Sequence, residues 1–210
     1  MKILLVSDDC YHPGWVPEQG ISSLIEEDFG IDVLRDISEL SLEKLITYDV
    51  VVLAKGNKTS ATDSSPWEDG PAEEAFLKYV ERGGGVLFVH AGAAVKNGGD
   101  GMCRLMGHRF INHPEQCAVT VTPLKPHPIT QGVKSFIVHD EHYFINIQIQ
   151  EADILMVSTS QYGTQAACYT RTFGKGRVCN LMPGHNAEVW KDPSYQKTIT
   201  NALIWCKGEL

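Results

Sequence analysis

His90 is the residue of this 210-residue sequence best placed to do chemistry. It closes the run Gly83-Gly84-Gly85-Val86-Leu87-Phe88-Val89-His90-Ala91-Gly92-Ala93-Ala94, where an apolar strand breaks into small residues. That pattern predicts a strand-to-helix elbow with an imidazole at its tip. Ligands of open α/β sheets bind outside the carboxyl ends of strands, and small residues there let backbone and substrate approach closely. An imidazole so placed can act as general base, proton shuttle or metal ligand. Three more histidines sit where the chain turns: His12 after the first apolar run, His113 in Asn112-His113-Pro114, and His185 in Pro183-Gly184-His185-Asn186. In a doubly wound sheet the segments after strands one and four both open onto the carboxyl edge, so His12 and His90 converge there. No HExxH or paired CxxC spacing singles out a metal centre.

The segment His139-Asp140-Glu141-His142-Tyr143-Phe144 places polar side chains between apolar flanks, which is costly unless they are solvated, paired or used. Strand periodicity puts His139, Glu141 and Tyr143 on one face and Asp140 and His142 on the other, and only one face can serve a given pocket. A carboxylate within reach of His90 would orient its ring and select its tautomer. The plainer reading of Asp140 and Glu141 is a solvated strand end, or ion pairs with Arg109 or Arg171. His108, His127 and His139 are assigned to structure. Cys10 follows the first strand, but Asp8 and Asp9 beside it raise a thiol's pKa and oppose a nucleophilic role. The triple glycine is a helix stop rather than a phosphate loop, since no GxxxxGK[ST] follows.

These residues need a scaffold, and the chain is long enough for one domain spanning 1–210, with 43% hydrophobic residues. The formal charge of −8 argues against an electrostatic footprint for nucleic acid. Ile3-Leu4-Leu5-Val6 is too short for a signal-peptide core or a membrane span. Six cysteines without a CxxC pair read as reduced thiols of a cytoplasmic protein.

Apolar and amphipathic stretches alternate through the first half: strands at Ile3–Val6, Ile31–Leu34, Val50–Ala54 and Val86–Val89, and helices near Ile21–Phe29, Leu42–Ile46 and Ala72–Glu81. This predicts βαβ units and a parallel sheet covered on both faces. The turn-rich stretch 56–67 is long for a connection and marks a functional or mobile loop. The second half predicts mainly antiparallel strands at Ala118–Thr122, Phe136–Val138, Ile154–Ser158, Ala166–Thr172 and Arg177–Leu181. Phe173-Gly174-Lys175-Gly176 joins the last two as a hairpin, and a helix over Tyr195–Trp205 closes the chain.

Taken together, the chain resembles the ThuA-like family, named for trehalose utilisation. The resemblance rests on the glycine run ending in His90, on Leu105-Met106-Gly107, Phe110 and His113-Pro114, and on His127-Pro128-Ile129-Thr130. It continues through Asp140-Glu141-His142-Tyr143, Gly174-Lys175-Gly176-Arg177-Val178, Gly184-His185, Trp190 and Leu203-Ile204-Trp205. His142 departs from it, since an apolar residue is usual there. The resemblance implies a flavodoxin-like three-layer α/β sandwich of the class I glutamine amidotransferase-like type, with antiparallel additions in the second half. It also implies that His90 stands where a true amidotransferase has its cysteine nucleophile, and that Glu141, His185, His12 and His113 approach His90.

The expectation is an intracellular enzyme of carbohydrate metabolism acting on a sugar or keto-sugar derivative. His90, Glu141, Asp140 and His185 are its catalytic candidates. His12, His113 and Tyr143 are candidates for substrate binding, and His12, His90 and His185 for holding a divalent metal such as zinc. The expected partner is a small carbohydrate, with no nucleic acid and no membrane. An edge strand of the second half or the closing helix could form a symmetric homodimer. Two other readings stay open: a non-catalytic binding or regulatory protein on an amidotransferase-like scaffold, and a metal-dependent hydrolase.

Overall fold

A computed structural model of the chain describes residues 1–24, 29–96 and 98–209. The first half alternates as its apolar pattern requires. Strands β1 (Lys2–Ser7), β2 (Gly30–Leu34), β3 (Val50–Ala54) and β4 (Gly85–Val89) are interleaved with helices α1 (Trp15–Ser22), α2 (Leu42–Leu45) and α3 (Pro71–Glu81). All four pair in parallel, in the order β2-β1-β3-β4. Successive side chains along β1 point to opposite faces. Ile3 and Leu5 therefore enter one core with Val16 and Ile21 of α1, while Leu4 and Val6 enter the other with Phe76 and Val80 of α3.

Helix α1 starts earlier than the helix expected near Ile21–Phe29, of which residues 25–28 lie outside the described residues. Pro17 stands in its first turn, where an N–H has no intrahelical acceptor.

The chain then adds α4 (Asp100–Met106), β5 (His108–Asn112), β6 (Cys117–Pro123), β7 (Phe136–Asp140), β8 (Phe144–Ile147), β9 (Asp153–Ser160), β10 (Gly163–Phe173), β11 (Gly176–Leu181), α5 (Ala187–Lys191) and α6 (Pro193–Lys207). The sheet order is β2-β1-β3-β4-β11-β10-β9-β6-β7, and β5 and β8 form a separate antiparallel pair. Strand β11 is the pivot: it lies parallel to β4 and antiparallel to β10, from which it is reached by the expected glycine hairpin. β10, β9, β6 and β7 continue antiparallel. No described helix is long and apolar enough to cross a membrane.

Five carboxyl-terminal strand ends meet around one place. The order reverses beside β1, so the segments after β1 and β3 diverge there, and those after β4 and β11 open beside them. The chain leaving β7 reaches the same edge, because Asp140 accepts the backbone N–H groups of Gly184 and His185 at 2.8 and 3.0 Å.

Candidate active site and metal centre

At the end of β4 the backbone of His90 takes a φ of +45°, a left-handed conformation that side chains disfavour. A short 3-10 turn, His90–Ala93, follows. Gly92 makes it possible, since a Cβ there would stand 2.0 Å from the Leu53 carbonyl oxygen of β3. The elbow thus turns the buried His90 ring toward the carboxyl edge.

The rings of His90 and His12 each have one nitrogen committed outward. His90 donates its Nδ1–H to the Met182 carbonyl at 2.9 Å, because a carbonyl can only accept. In the neutral ring this leaves the Nε2 lone pair facing inward. The His12 Nδ1 is held by the Asp9 carboxylate at 3.0 Å. Asp9 is itself fixed by the N–H groups of Gly56, Tyr11 and His12 at 2.7, 2.8 and 3.0 Å.

Inward, His90 Nε2 lies 3.2 Å from His185 Nδ1 and 3.3 Å from Glu141 Oε2, and His185 Nδ1 lies 3.4 Å from the same oxygen. His12 completes the group, with one donor atom of each of the four residues within 4.8 Å of the others. His113 stands at the margin, its Nε2 3.6 Å from Glu141 and its Nδ1–H donated to the Pro114 carbonyl. The Tyr143 ring stacks on His90 with centroids 4.2 Å apart, and its hydroxyl is 3.0 Å from His90 Nε2. Above them opens a cavity of about 370 Å³ lined by Tyr11, His12, Phe110, His113, Glu141 and Tyr143. A roomier depression of about 780 Å³ lies elsewhere, along the loop from Pro123 to Gln131, where His127 is spent capping a turn.

The charges are set by competition between burial and partners. Burial opposes the Asp9 charge, but His12 and the amides of Gly56 and Tyr11 outweigh it and hold the carboxyl at about 2. Burial likewise opposes Glu141, yet His90, His185 and His113 bring its pKa below the usual carboxylate range. His185 is pushed down to about 4 by burial and by the field of His90, against the pull of Glu141. Burial raises Asp140 despite His90 and its amide donors. Burial raises Tyr143 well above an ordinary phenol, with Glu141 adding to it, so its hydroxyl keeps its proton.

At neutral pH, then, the Glu141 carboxylate faces a neutral His185. His90 Nε2, His185 Nδ1 and Glu141 Oε2 crowd within 3.2–3.4 Å of one another, and either a proton on His185 Nδ1 or a cation between them relieves that repulsion. Ligand atoms at a tetrahedral zinc, each at 2.0–2.2 Å, stand about 3.3 Å apart by geometry. The donor set of three imidazoles and a carboxylate therefore fits a divalent ion such as zinc. With an ion there, Asp9 and the Met182 carbonyl would be the outer partners that orient His12 and His90.

All seven candidate residues lie at this edge: His90, Glu141, His185 and His12 converge, His113 and Tyr143 border them, and Asp140 lies beneath, on the amides of Gly184 and His185. The expectation that Asp140 and Glu141 occupy opposite strand faces, only one of them useful, is corrected. β7 ends at Asp140, so alternation stops there and both carboxylates turn toward the same edge. Neither pairs with Arg109, which holds Asp100, or with Arg171, which donates to backbone carbonyls.

Asp9 escaped the sequence reading as a partner of His12. Its spacing three residues before His12, just past a strand, was the available signal. His108, His127 and His139 take no part: His108 is buried between the Tyr169 hydroxyl and the Ala93 carbonyl, and His139 is exposed.

The family model for ThuA, described as trehalose utilisation, matches residues 4–206. No curated protein matches the chain in sequence. A ThuA-like protein of Parabacteroides merdae superposes with a TM-score of 0.81 at 20% identity, covering 100% of this chain and 90% of the other. One from Bacteroides uniformis gives 0.80 at 20% identity, covering 98% and 91%. A cold-adapted β-galactosidase of Rahnella sp. R3 gives 0.71 at 13% identity, covering 97% of this chain but 30% of that enzyme. At these identities the superpositions bear on the fold alone.

Proposed function

This chain belongs to the ThuA family, and we propose on that premise that it is an enzyme of carbohydrate metabolism that transforms a sugar or keto-sugar derivative with the help of a divalent metal. One observation carries the reading. His90 Nε2, His185 Nδ1 and Glu141 Oε2 converge within 3.2–3.4 Å, His12 completes the set, and the outer nitrogens of His90 and His12 are tied to protein acceptors. His12, His90, His185 and Glu141 would hold the ion. When bound, a cation such as zinc polarises a carbonyl or hydroxyl oxygen and lowers the pKa of water.

The chain's own groups supply the rest. A keto-sugar carries an acidified carbon beside its carbonyl, so one base and one electrophile support isomerisation or elimination. His113 is the base we assign: its Nδ1–H is fixed on Pro114, its Nε2 stands 3.6 Å from the Glu141 carboxylate, which would stabilise the imidazolium formed, and it lines the cavity. Tyr143, which keeps its proton, donates to the oxygen on which negative charge develops. Tyr11 and Phe110 offer apolar walls for the sugar ring.

The strand order β2-β1-β3-β4-β11 supports a flavodoxin-type, amidotransferase-like scaffold. With His90 at its elbow, thioester chemistry is not part of this proposal. The free thiols, five of them buried, support a reducing, cytoplasmic setting.

Metal analysis of untagged protein purified without chelator tests the reading. Near one divalent ion per chain is expected in wild type, with loss in His90→Ala. Protein that takes up no ion from added zinc, manganese or magnesium would overturn it and favour a non-catalytic binding protein.

A further inference from the structure

A third cavity, of about 320 Å³, contains none of the clustered histidines and is lined in part by Asp100, Arg104, Gly107, Arg109 and Arg171. The chain carries six arginines within a net charge of −8, and three of them meet here. That concentration runs against the charge of the whole molecule, so it calls for a local reason.

The three side chains are held differently. Arg109 is neutralised: Nη2 donates to Asp100 at 2.6 Å, and Nη1 donates to the Lys96 and Gly98 carbonyls. Arg171 is anchored but not neutralised. Its Nε donates to the Thr172 carbonyl, its Nη1 donates to the Arg104 carbonyl at 2.7 Å, and its guanidinium lies 5.6 Å from the Phe173 ring centroid. No described carboxylate hydrogen-bonds it; Glu151 acts only through space. Gly107, at φ +90°, borders it: a Cβ there would meet Ile149 Cδ1 at 2.4 Å first and Arg171 Nη1 at 3.2 Å. Arg104 is exposed, and its side chain has no hydrogen-bond or ion-pair partner among the described residues.

We propose that this pocket binds a phosphate group between Arg104 and Arg171. A guanidinium half removed from water and left without a counter-ion is unfavourable, and a fork of N–H donors matches phosphate oxygens. Arg171 is ordered in advance by its two carbonyls, so little side-chain entropy is lost on binding. Arg104, ungripped, closes on the anion from outside. The phosphate is either free or carried by a small molecule. Arg109 lies on β5, whose last residue, Asn112, directly precedes the proposed base His113.

Isothermal titration calorimetry at constant ionic strength, with inorganic phosphate in one arm and glucose 6-phosphate in the other, tests this. Saturable binding is expected in wild type, weakened about tenfold or more in Arg104→Ala, as expected for loss of a charged hydrogen bond. Arg104 holds nothing else by its side chain, so this variant keeps the fold, and circular dichroism checks that it does. Binding is expected to survive His90→Ala, which separates this site from the metal cluster and lets either reading fail alone. Tighter binding of the sugar phosphate assigns a phosphorylated ligand; equal binding assigns free phosphate. Absence of binding in both arms, or binding unchanged in Arg104→Ala, overturns the proposal.

Discussion

His90 and His108 lie on either side of one elbow, both buried and each with one nitrogen on a backbone carbonyl, at 2.9 Å to Met182 and 2.8 Å to Ala93. Their other nitrogens differ. That of His108 meets a single hydroxyl, from Tyr169, which also reaches the Met106 carbonyl at 3.0 Å. That of His90 meets a hydroxyl, an imidazole nitrogen and a carboxylate at once, at the floor of a cavity. The first arrangement is complete without any visitor; the second brings two imidazole nitrogens and a carboxylate oxygen to one point. Burial and a shifted pKa do not separate the two kinds, because His108 and His185 are both pushed down to about 4. For His108 burial does this alone, opposed by Ala93, whereas for His185 the field of His90 adds to burial. Convergence of lone pairs is what distinguishes the candidate site.

The largest effect that tests this contrast is on folding. His108→Ala leaves a cavity and an unpaired Ala93 carbonyl, while the Tyr169 hydroxyl keeps the Met106 carbonyl, and we expect a loss of about 2–4 kcal/mol in urea denaturation. Metal stoichiometry at saturating zinc should stay at the wild-type value. If a folded His108→Ala protein no longer took up metal, the division between a structural and a ligating histidine would break.

Acid should weaken the fold through the same residue. His108 has a folded pKa near 4, below its unfolded value of 6.5, so the unfolded chain binds more protons across that interval. Its contribution is fully present above pH 6.5 and is lost as pH falls through about 4, by up to about 3 kcal/mol at 1.36 kcal/mol per unit. His185 acts in the same direction. Unfolding free energies of the chelator-treated protein at pH 7 and pH 4.5 read the slope, which should be shallower in His108→Ala. A variant slope equal to that of wild type would remove His108 as its source.

A smaller effect sharpens the other side. Asp9→Asn keeps the shape of the carboxylate but loses its charge against His12, and zinc affinity should fall about 10–100-fold, as for other outer partners of ligating histidines. Competition titration with a chromogenic chelator measures it. Unchanged affinity would mean that His12 is not a ligand.

Most elements could be read in advance because they are governed by local pattern. Four β-branched or leucine-rich runs became β1 to β4, and the glycines at 174 and 176 produced the hairpin between β10 and β11. The short elements α4, β5, β8 and α5 were missed, since four to seven residues hold too little periodicity to stand out. The helix expected near Ile21–Phe29 starts earlier, because the face that packs on Trp190 begins at Val16 and Gly20. For the candidate site, residue types at chain turns pointed to His12, His90, His113 and His185, and resemblance pointed to Glu141. The partner role of Asp9 and the common orientation of Asp140 and Glu141 were not legible, because both depend on where a strand stops.

By itself the sequence determined that an imidazole would stand at a strand-to-helix elbow, because a buried apolar run followed by small residues admits few other conformations. It also determined two-sided burial of the parallel strands, through their unbroken apolar runs. Which side chains would meet His90 was decided only by the tertiary structure. Glu141 and His185 lie 51 and 95 residues beyond it in the sequence, and they reach it only because β11 reverses the sheet and β7 delivers its end to the same edge. Tautomers, lone-pair directions and the crowding that asks for a cation follow from that long-range placement, where Met182 and Asp9 each hold one ring nitrogen outward.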